Sequence, residues 1–140
     1  MERWILYAFA SMFFAGFTSV IAKQGLAGIT PELGLSLRTV FVFVFILMFA
    51  AFAVSPSELR NLNKTNYVWL GMSGVTTALS WVFYYKALKQ GDVATVAMID
   101  KASVIVAILL AWILLKEAIT LRVVFGVTLM LTGLIVIAKK

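Results

Sequence analysis

The residues that could do chemistry in this chain are ionisable groups set inside apolar runs. Arg38, Lys86, Asp100 and Lys101 each fall within such a run, and Lys23 closes another. A charge at the centre of a bilayer costs about 2.5–3.5 kcal/mol on insertion scales, so each one needs a reason. One reading is a polar chamber. Asp100 would pair with Arg38 or Lys86, and the surplus positive charge would receive a carboxylate or another anion. The other reading is snorkelling, in which Lys23 and Lys86, near helix ends, carry their charge to the headgroups. Asp100 is too short to snorkel, and with no His in the chain it is the candidate for carrying a coupling proton. Residues 100 and 101 point about 100° apart on a helix, so neither is expected to be the other's main partner.

Polar and aromatic residues also recur at helical spacing. Tyr7, Ser11, Phe14 and Thr18 form one such stripe, and Ser73, Thr77, Ser80 and Tyr84 form another. Each set shares one helix face. Ser11, Ser80 and Tyr84 are candidates to line a small-molecule path. The same stripes equally suit hydrogen bonds that hold helices together.

Composition narrows the classes open to the chain. Of 140 residues, 63% are hydrophobic and 13% charged, against roughly 25% charged in soluble domains. A chain of this length has no room to bury so much apolar surface in one soluble core. With no Cys and no His, a disulfide framework, a Cys/His metal site, a thiol nucleophile and a His-dependent triad are excluded. No cofactor and no metal is implied. The acids are Glu2, Glu32, Glu58, Asp92, Asp100 and Glu117, and no two fall into place as a catalytic pair, so an enzyme is a poor reading. The net charge of +6 comes from bases spread thinly between apolar runs, which suits membrane flanks and not nucleic acid.

The elements that would hold these groups are membrane helices. The fold class expected is an all-α integral membrane protein, a bundle of five transmembrane helices in one domain over 1–140. The helices are placed at 4–22, 33–54, 67–88, 93–115 and 121–138. The breaks have local causes. Thr30-Pro31 reads as an N-cap with Pro at the first helical position. Ser55 and Glu58 have capping-box spacing, with a short interfacial turn to follow through Leu59 and Leu62. Gly91-Asp92 supplies a stop and a cap, and Thr120 caps the last helix. Trp4, Tyr67 and Trp69 lie at span ends as interface anchors, and Lys139-Lys140 reads as a stop at the headgroups. The N-terminal run is better read as a first membrane helix than as a secretory signal. Gly126 and Gly133 share a face of the last helix, suited to a dimer seam or to packing within the chain.

Five helices put the termini on opposite sides. One side then carries Arg3, Arg60, Lys64, Lys116 and Arg122. The other carries Lys23, Arg38, Lys86, Lys89, Lys139 and Lys140, or only the last three of Lys89, Lys139 and Lys140 if helix-embedded bases are set aside. The bias is small and changes sign with the counting. Either the N-terminus is cytoplasmic by a narrow margin, or the chain inserts both ways. Dual insertion would let two copies build an antiparallel dimer, the inverted repeat that many transporters carry in one chain.

The pattern resembles the EamA domain of the drug/metabolite transporter superfamily over nearly the whole chain. The resemblance rests on the order of Ala22-Lys23-Gln24-Gly25-Leu26, then Leu37-Arg38-Thr39-Val40, then Tyr84-Tyr85-Lys86-Ala87-Leu88-Lys89-Gln90-Gly91-Asp92. Leu115-Lys116-Glu117 and the Gly126/Gly133 helix follow. It implies a secondary carrier of small metabolites working by alternating access. It also implies a half-size form that needs a second copy or a paired homologous chain, embedded in the lipid bilayer of the cell membrane. Departures include Lys116 where the family often has Gly, and the absence of the membrane Glu of small multidrug exporters in helix one. A basic surplus favours an acidic or zwitterionic substrate. The alternative is a non-transporting membrane subunit for assembly or lipid handling.

Overall fold

The structure is a computed structural model, and it describes residues 3–138. Lys139 and Lys140, the expected headgroup stop, and Glu2 lie outside the described residues. Among the described residues the chain is helical, with no strand. Its helices are α1 (Arg3–Gly25), α2 (Pro31–Ala53), α3 (Pro56–Arg60), α4 (Lys64–Gln90), α5 (Val93–Lys101), α6 (Ser103–Leu110) and α7 (Leu121–Ala138), with a π-helical turn, Ala111–Leu115, closing α6.

Among the described residues three stretches are long and apolar enough to cross a bilayer by length and composition: Arg3–Gly25, Pro31–Ala53 and Val93–Leu115. A shorter apolar helix covers Leu121–Ile137. α4 is long enough at 27 residues. Its sequence is more polar, carrying Lys64, Asn66, Ser73, Thr76, Thr77, Ser80, Lys86 and Lys89. The outward faces fit lipid. Large apolar side chains lie open along the helices, with Tyr7, Phe41 and Phe125 well exposed and Phe52 90% exposed. An apolar surface this continuous has no place in water.

The boundaries follow the local chemistry read from the sequence. Thr30 Oγ1 accepts from the Leu33 amide at 3.3 Å and Pro31 opens α2. Asp92 Oδ2 accepts from the Thr95 amide at 2.9 Å and starts α5. Thr120 Oγ1 accepts from the Val123 amide at 3.4 Å ahead of α7. Glu58 returns to Ser55, accepting from its amide at 2.7 Å and its hydroxyl at 3.1 Å. The short α3 stands where an interfacial turn is predicted.

The predicted single helix over 93–115 is interrupted. The Ala102 amide is shared between the carbonyls of Met98 at 3.2 Å and Ile99 at 3.1 Å. The Ile105 amide then bonds the Ala102 carbonyl at 3.0 Å, a tighter turn than α. The far end widens instead. The amides of Lys116 and Glu117 both reach the Ala111 carbonyl, the latter at 3.3 Å. Lys116 closes that turn in the left-handed region at φ 56°.

The chain divides into two compact units, residues 1–20 with 91–140, and residues 21–90. In the first, α5 packs on α7 and Val96 is buried. In the second, α2 packs on α4, and Leu26, Tyr85 and Leu88 form the buried centre. Gly34 permits that centre. A Cβ on it would stand 2.5 Å from Leu26 Cδ2. Gly126 and Gly133 differ, since a Cβ on either would meet nothing within 4 Å. Among the described residues, packing within their unit therefore makes no use of their smallness.

Two outcomes follow. Lys116→Gly is expected to raise stability by roughly 1 kcal/mol, because glycine takes the left-handed conformation without a Cβ clash. Chemical unfolding in detergent would show it as a shift in midpoint. The Glu58 carboxyl lies below its ordinary value of 4.5, chiefly through the Ser55 amide and then the Ser55 hydroxyl. The α3 cap is therefore complete above that value and is lost as pH falls through the lower, folded value. A pH titration of the Ser55 amide resonance, compared with Glu58→Gln, reads this directly.

Candidate functional site

Arg38 lies one helical turn beyond Gly34, on the same face of α2. Across from it, α4 presents Trp81, Tyr85 and Leu88 at spacings of four and three, which is one helix face. Leu88 is 0% exposed and Tyr85 is buried, as fits the face of α4 that packs on α2. The Arg38 guanidinium carbon sits 4.1 Å from the Trp81 ring centroid and 5.9 Å from that of Tyr85. A guanidinium stacked on an aromatic face gains cation–π attraction and still directs its N–H donors sideways, in its own plane. Arg38 Nη1 is buried and makes no hydrogen bond among the described residues. Leaving a buried charged donor unmatched costs about 1–3 kcal/mol or more.

The other bases of this unit near the same helix ends are engaged. Lys23 Nζ donates to the Leu88 carbonyl and, at 3.4 Å, to that of Lys89. Lys89 Nζ answers by donating to the Leu26 carbonyl at 2.7 Å. The last carbonyls of α1 and α4 lack intrahelical partners, and each helix end caps the other's with a lysine. Lys86 pairs with Glu32 at 3.3 Å, and both side chains are about half exposed or more. Within this unit, then, a carboxylate faces Lys86, and it is that of Glu32.

Asp100 and Lys101 belong to the other unit, at the end of α5. Asp100 Oδ2 lies 3.3 Å from Lys101 Nζ. The expectation that neither would be the other's main partner is thus corrected. α5 stops at Lys101, where the turn at Ala102 tightens, and the flexible lysine stem reaches back to its neighbour. Lys101 is exposed and Asp100 about one-third exposed.

The polar stripes resolve in an unexpected way. Thr77 Oγ1 donates to the Ser73 carbonyl at 2.8 Å and Thr18 Oγ1 to that of Phe14 at 2.9 Å. Ser36, Thr39, Thr128 and Thr132 do the same one turn back. These hydroxyls are satisfied inside their own helices and not by bonds between helices. Ser11 and Ser80 are exposed, and Tyr84 lies half-buried with its ring 6.3 Å from Tyr85. An open groove of about 400 Å³ beside Trp112, Ile113, Lys116, Glu117 and Ala118 holds none of the candidate residues.

The EamA-like transporter family model matches residues 2–139. The chain belongs to that family. A protein of Sinorhizobium sp named as an uncharacterized transporter in the cobO 3' region is 31% identical over 137 residues, covering 98% of this chain and 97% of that protein. No solved structure matches significantly. Membership makes the chain a membrane protein of a transporter family, with one EamA-type domain. It also sets the long apolar helices in lipid, where Arg38 and Asp100 are costly unless used.

Trp81, Tyr85 and Glu32 are the residues that the sequence reading missed. The signal for the first two was present, because Trp81, Tyr85 and Leu88 have the same spacing as Ser80 and Tyr84, one residue on. Polarity was the wrong guide to the buried face, since lipid is as apolar as leucine and helices pack there by fit.

The lysine clamp gives a prediction. Lys23→Met should lower stability by about 1.5–3 kcal/mol, the range for hydrogen bonds to charged groups. A double-mutant cycle between Glu32→Gln and Lys86→Gln should give a coupling under about 1 kcal/mol, as exposed pairs do. Unfolding in detergent checks both.

Proposed function

We propose that this chain is a secondary transporter of small metabolites, working by alternating access as a dimer of five-helix units in the cell membrane. The observation that carries the reading is a family match running almost from end to end over a chain whose helices hold ionisable groups at membrane depth. In this reading α1, α2, α4, the α5–α6 segment and α7 are the five crossings. The second unit of the dimer is a copy of this chain, inserted antiparallel, or a paired homologous chain. Gly126 and Gly133 suit the seam, because among the described residues of their unit nothing packs against the space beside them.

Arg38, Asp100, Lys101 and Lys86 are the candidate contacts for substrate or coupling ion, with Tyr84, Ser80 and Ser11 along the path. Asp100 is the candidate proton carrier, at a break in a membrane helix. Interrupted helices are where transporters expose the backbone and charge that hold substrates and ions.

Reconstitution tests this. Vesicles carrying the full chain should accumulate or release solutes from a panel of organic acids, amino acids and organic cations, driven by an imposed ion gradient. Arg38→Leu and Asp100→Leu should each lower flux by about tenfold or more, the loss expected when a buried charged contact is removed. Asp100→Asn should abolish substrate-dependent pH change. Tags on both ends, scored for sidedness in cells, should give mixed sidedness for an antiparallel dimer. Intact function after both leucine substitutions would point to the alternative, a structural membrane subunit.

A further inference from the structure

We propose that Arg38, backed by the rings of Trp81 and Tyr85, is the receptor for the carboxylate of a small organic anion. The proposal rests on the transporter reading and names the class of substrate for that site.

Around the joined ends of α1, α2 and α4 the lysines are engaged. Lys23 and Lys89 donate to helix-end carbonyls, and Lys86 faces Glu32. Arg38 contacts aromatic faces, and its buried Nη1 makes no hydrogen bond among the described residues. Cation–π contact with the rings uses the positive charge of the guanidinium and does not consume its N–H donors, so Nη1 still has an acceptor to gain. The acceptor that fits a planar fork of N–H donors is a planar pair of oxygens, which is a carboxylate. An incoming carboxylate would neutralise the charge and satisfy the orphaned donor together. Because Nη1 is covered, binding must also shift the side chains over it, which ties occupancy to movement between α2 and α4.

A lipid phosphate offers similar chemistry, but depth argues against it. Arg38 lies seven residues beyond Pro31, which places it about 10 Å along α2 from the helix start. A headgroup would have to leave the interface to reach it. A small soluble anion crossing the membrane would not.

The test is a binding titration on the full chain in phosphatidylcholine vesicles. Trp4→Phe, Trp69→Phe and Trp112→Phe leave Trp81 as the fluorophore. Sodium succinate or sodium benzoate should change its emission saturably, and tetraethylammonium chloride should not. Arg38→Gln should weaken binding by about tenfold or more, and Arg38→Lys should also weaken it, because an ammonium keeps the charge and lacks the fork. The same acids should raise the thermal midpoint of the otherwise unaltered chain and not that of Arg38→Gln. This second measurement stands if the triple-phenylalanine background fails to fold.

Absence of a saturable response to both acids, or equal binding by Arg38→Gln, would overturn the proposal. A response to inorganic phosphate alone would overturn the carboxylate assignment. Vesicles containing phosphatidylglycerol that already saturate the signal, with no displacement by either acid, would make a headgroup the occupant and overturn it too. The two readings can fail apart. A chain that transports an organic cation yet binds neither acid loses this site and keeps its transport function. A chain that binds the acids without moving any solute keeps the site and loses that function.

Discussion

Hydrocarbon offers no water to these helices, so a hydrogen-bonding group set within it is costly unless it finds a partner in the protein. Much of the structure follows from that constraint. Threonine and serine hydroxyls along α1, α2, α4 and α7 turn back on carbonyls of their own helices. Thr30, Asp92 and Thr120 cap helix starts whose amides would otherwise be orphaned. Lys23 and Lys89 supply donors to each other's helix ends, a fastening between α1 and α4 that serves both carbonyl demand and the negative end of each helix dipole. Lys23, which looks from the sequence like a snorkelling charge, therefore has protein partners.

Packing obeys the other half of the same constraint. In lipid there is little gain from hiding apolar surface, so helices are held by fit. The buried centre of residues 21–90 is correspondingly small: Leu26, Tyr85 and Leu88, with Gly34 giving Leu26 room to approach α2. Gly34 works by close approach, since its neighbour would collide with any Cβ. Gly28, with φ 73°, works by conformation, in the turn between α1 and α2. Trp81 continues the Tyr85–Leu88 face, so the ring that holds Arg38 is positioned by the same contacts that hold α4 to α2.

Helix starts were the most legible part of the sequence. Thr30-Pro31, Ser55 with Glu58, Asp92 and Thr120 act through their own backbone neighbours, and such local chemistry survives whatever the tertiary arrangement. The interruption at Ala102 left no comparable mark, having neither Pro nor Gly within 93–115. The left-handed turn at Lys116 has no glycine to announce it. Pairings were the least legible. Glu32 and Lys86 are distant in sequence and meet because α2 begins where α4 ends. The pairing of Asp100 with Lys101 depends on the helix stopping at that point. Helical spacing describes directions on an intact helix and gives no warning of where the helix ends.

The division of labour between lysine and arginine sharpens the functional reading. Carbonyls at a helix end present lone pairs in several directions, and a flexible ammonium with rotatable donors can serve them at little cost in geometry. Lys23 and Lys89 do so, and either role ends with the fastening itself. Arg38 lies deeper, and its position is set by two rings instead of by acceptors. Rings hold a guanidinium in place without consuming its hydrogen-bonding capacity, whereas a carboxylate from the chain would have done both. A base that served only to join α2 to α4 would be better matched by an acid such as Glu32, which is already present on the same helix and is given to Lys86. The arrangement around Arg38 therefore leaves a buried donor without an acceptor among the described residues, between α2 and α4 and apart from the lysines that fasten the helix ends.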